Sequence, residues 1–195
     1  QNVHASIRDG IRLGNAKAYK FAHNDLDSLK HRIRQVLQGG SLPHGEVYVI
    51  TEAVFSMEGD GPNLEVLAAF CREQNYRLIV DEAHSAGILG PEGRGEVAGQ
   101  QWQEAVFARL ITFGKSLGCH GAAVLCSPEL REYLINFSRS LIYTTALPPS
   151  SLRAILKAYE LLEGDPGKAA REALHKNMQV FASLAETLGL SQYIV

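Results

Sequence analysis

Little in the chain announces a disulfide scaffold, a membrane span or a nucleic-acid surface. There are only three cysteines, Cys71, Cys119 and Cys126, an odd number with no metal-ligand spacing. They read as free thiols of a reducing compartment, the cytoplasm, and no metal site is expected. Positive charge is not in excess: 19 Lys and Arg stand against 21 Asp and Glu, a net charge of -2. That balance argues against nucleic acid or an anionic membrane as a partner. No apolar run is long enough to span a bilayer, and no secretory leader is recognisable. Internal repeats and low-complexity segments are also missing. With 46% hydrophobic residues in 195, the chain can build one sizeable domain, or one domain and part of another. Both ends, Gln1-Asn2-Val3 and Tyr193-Ile194-Val195, read as interior sequence, the second as a strand entered and then cut, so a fragment of a longer protein is expected.

Short apolar runs alternate with helical patterns. Strands are expected at Val47–Ile50, Leu78–Val80, Ala108–Thr112 and Ala122–Leu125, with a weaker one at Lys17–Phe21. Ser6 to Asp9 has the spacing of a capping box for a first helix. Asn24 or Asp25 caps a second helix, which ends at Gly39-Gly40. Pro62 opens a third, and Ser127-Pro128-Glu129 a fourth that runs to about Phe137. Pro148-Pro149 precedes an amphipathic helix to about Leu162. Gly164-Asp165-Pro166-Gly167 is read as a turn into a long last helix. Such alternation predicts an α/β fold: a three-layer α/β/α arrangement around a mostly parallel sheet. Residues 1–147 form part of that domain, and residues 148–195 are helices leading into a smaller α+β domain.

Ligands of such sheets sit beyond the carboxyl ends of the strands. Asp81-Glu82-Ala83-His84 follows one expected strand, and Thr112-Phe113-Gly114-Lys115 ends another. The two place a carboxylate, an imidazole and an amine at one sheet edge. Pyridoxal phosphate (PLP) chemistry requires that trio: an acid for the ring nitrogen, an imidazole to orient the ring, and a lysine to carry the cofactor covalently. Taken singly, Asp81 is a turn former, Lys115 a surface lysine and Thr112 a β-branched strand residue. Their grouping, with glycines at 87, 90, 93, 95, 114 and 118, favours the site. The loop Glu52–Gly61, with Ser56 as a candidate cofactor contact, reads by itself as an ordinary polar connection. A rival exists, since Asp-Glu-Ala-His is also the acidic motif of a helicase class and Gly114-Lys115-Ser116 resembles the end of a P-loop. A P-loop needs glycine at position 109, where Arg109 stands, and it precedes the acidic motif in helicases instead of following it.

The ordered set of motifs resembles the α-oxoamine synthases, fold-type I PLP enzymes of the class-II aminotransferase group. The matching stretches are His4-Ala5-Ser6, Phe21–Asp25, Thr51–Asp60, Val80–Gly87, Gly93-Arg94-Gly95, Thr112–Lys115 and Ile142–Pro149. The resemblance implies that Lys115 carries the cofactor and acts as base, that Asp81 pairs with the pyridine nitrogen, and that His4 stacks on the ring. It implies that His84 and Ser56 contact the phenolic oxygen and Thr112 the phosphate. Thr144 and Thr145 would reach the phosphate of a neighbouring subunit's cofactor, which implies a homodimer. The implied substrates are an amino acid and an acyl thioester on CoA or an acyl-carrier protein. Gly114–Gly118 and Gly121–Cys126 lean toward the member that joins L-alanine to a pimeloyl thioester in biotin synthesis. Members acting on glycine or serine, and the related aminotransferases, remain as alternatives.

Overall fold

The computed structural model describes residues 2–39 and 45–193. Its core is a four-stranded sheet: β1 (Tyr48–Glu52), β2 (Arg77–Asp81), β3 (Val106–Thr112) and β4 (Ala122–Cys126), side by side in that order. β1, β2 and β3 run parallel, whereas β4 is antiparallel to β3. Only nine residues, 113–121, join those two strands, too few for the crossover that a parallel neighbour requires. Helices lie on both sides of the sheet, so the mostly parallel α/β class expected from the sequence is the one observed.

Local chemistry explains most helix starts. α1 spans Ala5–Arg12, α2 Leu26–Gln38 and α3 Leu64–Glu73. α4 spans Pro128–Phe137, α5 Arg139–Ile142, α6 Pro149–Glu163 and α7 Asp165–Thr187. The Asp25 carboxylate accepts the Ser28 N–H at 2.8 Å, Asn63 accepts from Val66, and Ser127 accepts from Leu130, each satisfying a first-turn amide. Pro128 and Pro149 occupy first-turn positions, where no N–H is needed.

Four local expectations change. His4, not Ser6, caps α1, because its Nδ1 accepts the Ser6 N–H at 3.3 Å. Lys17–Phe21 forms no strand, and no strand among the described residues pairs with it. Gly164 alone separates α6 from α7, since Asp165, Pro166 and Gly167 already form the first turn of α7. Tyr193 closes a short 3-10 turn instead of entering a strand, while Ile194 and Val195, like Gly40 of the expected helix stop, lie outside the described residues.

Two apolar clusters hold the layers together. Val49, Leu78 and Val80 of the sheet pack with Leu29 of α2 and with Leu64, Leu67, Ala68 and Cys71 of α3. Each fully buried aliphatic side chain of this kind contributes about 1.5–3 kcal/mol. Burial also pushes the Cys71 thiol up to about 12, which leaves it an inert apolar filler. In the second cluster Ile155 of α6 meets Ala86, Ile111 and Phe113, so α6 is seated on the segments that carry the candidate site.

Candidate active site

Strand register assembles the site before any loop is considered. Glu52 ends β1 and pairs with Asp81, which ends β2. Asp81 pairs with Leu110 of β3, and Thr112 lies two residues further along. Side chains alternate along a strand, so Glu52, Asp81 and Thr112 project from the same face at the carboxyl edge. Asp81 is buried, and one of its carboxylate oxygens accepts the Ala83 N–H at 2.9 Å.

His84 and Lys115 come from the loops after β2 and β3 and meet at that edge. Lys115 Nζ lies 2.6 Å from His84 Nε2. Burial holds the His84 imidazole below its ordinary titration range, the nearby Lys115 charge pushes it further down, and Asp81 opposes both. A neutral Nε2 therefore accepts a hydrogen bond from the Lys115 ammonium, and His84 carries its remaining proton on Nδ1. Replacing Lys115 by alanine removes the positive charge, so the His84 midpoint is expected to move up, part of the way to the ordinary imidazole value. Histidine-detected NMR titration measures it, and an unmoved or lowered midpoint would refute the pairing.

The loop bearing His84 is fastened from beneath. Glu82 is fully buried, and its carboxylate accepts from the Arg109 Nε at 2.5 Å, the Val97 N–H at 3.1 Å and Ser85 Oγ at 3.2 Å. Arg109 in turn donates to the Arg94 carbonyl at 3.0 Å. Gly95 has φ +94°, and a Cβ there would stand 2.5 Å from Glu82 Oε1, so this close approach requires glycine. Arg109 enters the sequence reading only as an argument against a P-loop; its role here is to hold this loop.

Segment 2–4 reaches the same edge from the other end of the chain. The His4 N–H donates to Glu52 Oε1 at 2.5 Å, and Asn2 donates to Glu58 at 2.6 Å. His4, Asp81 and Lys115 all act electrostatically on Glu52 and, Lys115 foremost, on His84, so these groups form one cluster. Ser56 stands exposed in the turn after Phe55, and Thr144 and Thr145 are exposed between α5 and α6. No side-chain hydrogen bond among the described residues draws these three toward Lys115. The residue that sequence reasoning passed over is Glu52. Its signal was available: an acid closing an apolar strand at the edge where Asp81 closes the next.

Comparison with known proteins gives the family. A family model described as aminotransferase class I and II matches residues 1–194, and the chain belongs to that family. Within it the chain sides with the α-oxoamine synthases. It is 39% identical over 178 residues to 8-amino-7-oxononanoate synthase of an Enterobacter species, covering 91% of this chain and 44% of the relative. The enzyme of that name from Klebsiella pneumoniae is 37% identical over 193 residues, covering 98% of this chain and 48% of the relative. Among solved structures, serine palmitoyltransferase from S. paucimobilis superposes with a TM-score of 0.85 at 32% identity, covering 96% of this chain and 46% of that one. The 8-amino-7-oxononanoate synthase of Francisella tularensis superposes with a TM-score of 0.74 at 34% identity, covering 96% and 52%. The chain thus spans about half the length of the relatives it matches.

Proposed function

We propose that this chain is part of a PLP-dependent acyltransferase. The full protein would join L-alanine to a pimeloyl thioester, on CoA or an acyl-carrier protein, with loss of carbon dioxide, to give 8-amino-7-oxononanoate. The observation that carries the reading is the Lys115 amine held on a neutral His84 beside the buried Asp81. The names of the relatives support the choice of substrates.

The donor set fits PLP. Thr112 Oγ1 is buried without a hydrogen-bond partner among the described residues, an unmet hydroxyl that suits a phosphate oxygen. Asp81 would hold the pyridine nitrogen, His84 and Ser56 the phenolic oxygen, His4 the ring face, and Lys115 the aldehyde carbon. Thr144 and Thr145 would serve the phosphate of a neighbouring subunit. Bound there, PLP supplies an electron sink for negative charge at the amino acid's α-carbon. The Asp81 carboxylate would keep a proton on the ring nitrogen, which would strengthen that pull. Lys115 would accept the α-proton on Nζ. His84, neutral at pH 7, can donate through one ring nitrogen while the other accepts.

A homodimer is part of the proposal. Tyr133, Phe137, Tyr143, Met178 and Phe181 are exposed here and apolar, which supports burial against further protein. No described helix is long and apolar enough to cross a membrane. Free thiols at Cys71, Cys119 and Cys126 suit the cytoplasm. Residues 1–147 would belong to the cofactor domain and residues 148–195 would lead into the smaller one.

The test is an absorbance spectrum with added PLP, followed by borohydride reduction and peptide mapping. A visible band and a cofactor fixed on Lys115 are expected. Thiol release from pimeloyl-CoA that depends on L-alanine should follow in the full-length protein. Serine with palmitoyl-CoA tests a second reading, which the structural similarity to serine palmitoyltransferase keeps open. Loss of the alanine amino group without thiol release would identify an aminotransferase and overturn the acyltransferase reading.

Thr112→Val separates the cofactor's demand from the fold's. Without cofactor the substitution removes a buried unmet hydroxyl, so stability should be unchanged or higher by about 1 kcal/mol. PLP affinity should fall about tenfold or more, the worth of one hydrogen bond to a charged group. Equal affinity in a titration of the two proteins would remove Thr112 from the phosphate site.

A further inference from the structure

We infer that Glu52 is a positioning residue: its carboxylate, by taking the His4 N–H, sets where the His4 imidazole stands over the Asp81 edge. The inference deepens the proposed PLP site and rests on it for the purpose of the positioning, though not for the contact itself.

Glu52 is buried to 4% exposure, an unusual place for an acid with no basic side chain hydrogen-bonded to it. The polar partner that the described structure gives its carboxylate is the His4 backbone N–H at 2.5 Å. That amide belongs to the N-cap of α1, a residue outside the helical ladder whose N–H otherwise goes unused. One carboxylate therefore joins the end of β1 to the start of α1, across 48 residues of chain. His4 has few other restraints. It is exposed, and among the described residues its ring is tied only to its neighbour Ser6, through Nδ1 to Oγ at 2.8 Å and to N at 3.3 Å. The Asn2–Glu58 bond at 2.6 Å fastens the same segment to the loop after β1. Since Glu52 and Asp81 are register partners on one face, whatever Glu52 holds is held beside Asp81.

The charges facing Glu52 fit this role. Burial raises its titration above the ordinary carboxylate range and Asp81 adds to the rise, while the His4 amide, the His4 ring and Lys115 oppose it. As pH falls, Glu52 takes up its proton earlier than an ordinary glutamate, and the amide then faces a neutral acid, a weaker acceptor.

The experiment is proton–nitrogen NMR of cofactor-free protein labelled in histidine, with the His4 amide assigned by its loss in His4→Asn. In the wild type this amide should resonate far downfield, resist solvent exchange, and shift upfield as pH falls through the raised Glu52 titration. In Glu52→Ala its exchange should quicken roughly tenfold or more, the loss of one charge-assisted hydrogen bond. Glu52→Gln is nearly isosteric and keeps an oxygen acceptor. It should retain protection while the pH-dependent shift disappears. If Glu52→Ala leaves the amide protected, or Glu52→Gln keeps the wild-type titration, the inference fails. PLP titration of the same variants, read by the visible band, should rank affinity as wild type, then Gln, then Ala; equal affinities would end the positioning role. Absence of a band in every protein, wild type included, would refute the proposed function while the amide signal still decides the Glu52 contact.

Discussion

Lys115→Ala in the full-length enzyme is expected to lower turnover by at least about 10⁴-fold, while leaving PLP bound without a covalent link. Two roles are lost together. The amine proposed to carry the cofactor would be gone, and with it the proposed base for the α-proton, a role typically worth about 10²–10⁴-fold alone. Retention would follow from other proposed contacts: Asp81 and Thr112 end two different strands, and no hydrogen bond among the described residues joins either to the lysine. Borohydride should then fix no cofactor to the chain, and added methylamine should restore a small part of the rate. A variant within tenfold of the wild type would remove Lys115 from the chemistry and, with it, the reading of the whole edge.

The largest effect on stability is expected at Glu82. Glu82→Ala strands the Arg109 guanidinium, which is itself only 11% exposed, and frees the Val97 amide and the Ser85 hydroxyl. Breaking a buried ion pair from one side costs about 3–5 kcal/mol, because the remaining charge is left without compensation. Denaturant unfolding should report that loss. Adding Arg109→Leu should return part of it, since the stranded charge then disappears. Equal or greater loss in the double variant would show that the packing of Glu82, not the pair, is what matters. PLP affinity should fall as well, because residues 85–97 are tied to the strand through this carboxylate and His84 stands at their start.

Much of the edge was legible in the sequence for a simple reason. Strand ends show as apolar runs that stop, and polar residues just past them must face solvent or a ligand. Asp81, His84, Thr112 and Lys115 are of that kind, and the structure finds Asp81 and Thr112 as the last residues of their strands. Helix starts were readable where a side chain caps its own first turn, as at Asp25 and Ser127, since that chemistry is local. The reading failed at α1, where two capping residues compete within three positions. It failed again at Lys17–Phe21, because a strand requires a partner and partners are not written locally.

By itself, then, the sequence determined the α/β alternation, the strand-end motifs and the family to which they belong. Periodicity and capping act over a few residues, and the ordered motifs are read directly. Tertiary structure alone decided that β4 turns back antiparallel and that Lys115 rests on His84. It likewise decided that Arg109 locks the loop through Glu82, and that Glu52, 48 residues from His4, takes its amide. These are pairings between distant segments. They follow from register and packing, in which each contact depends on how the rest of the chain has already been placed.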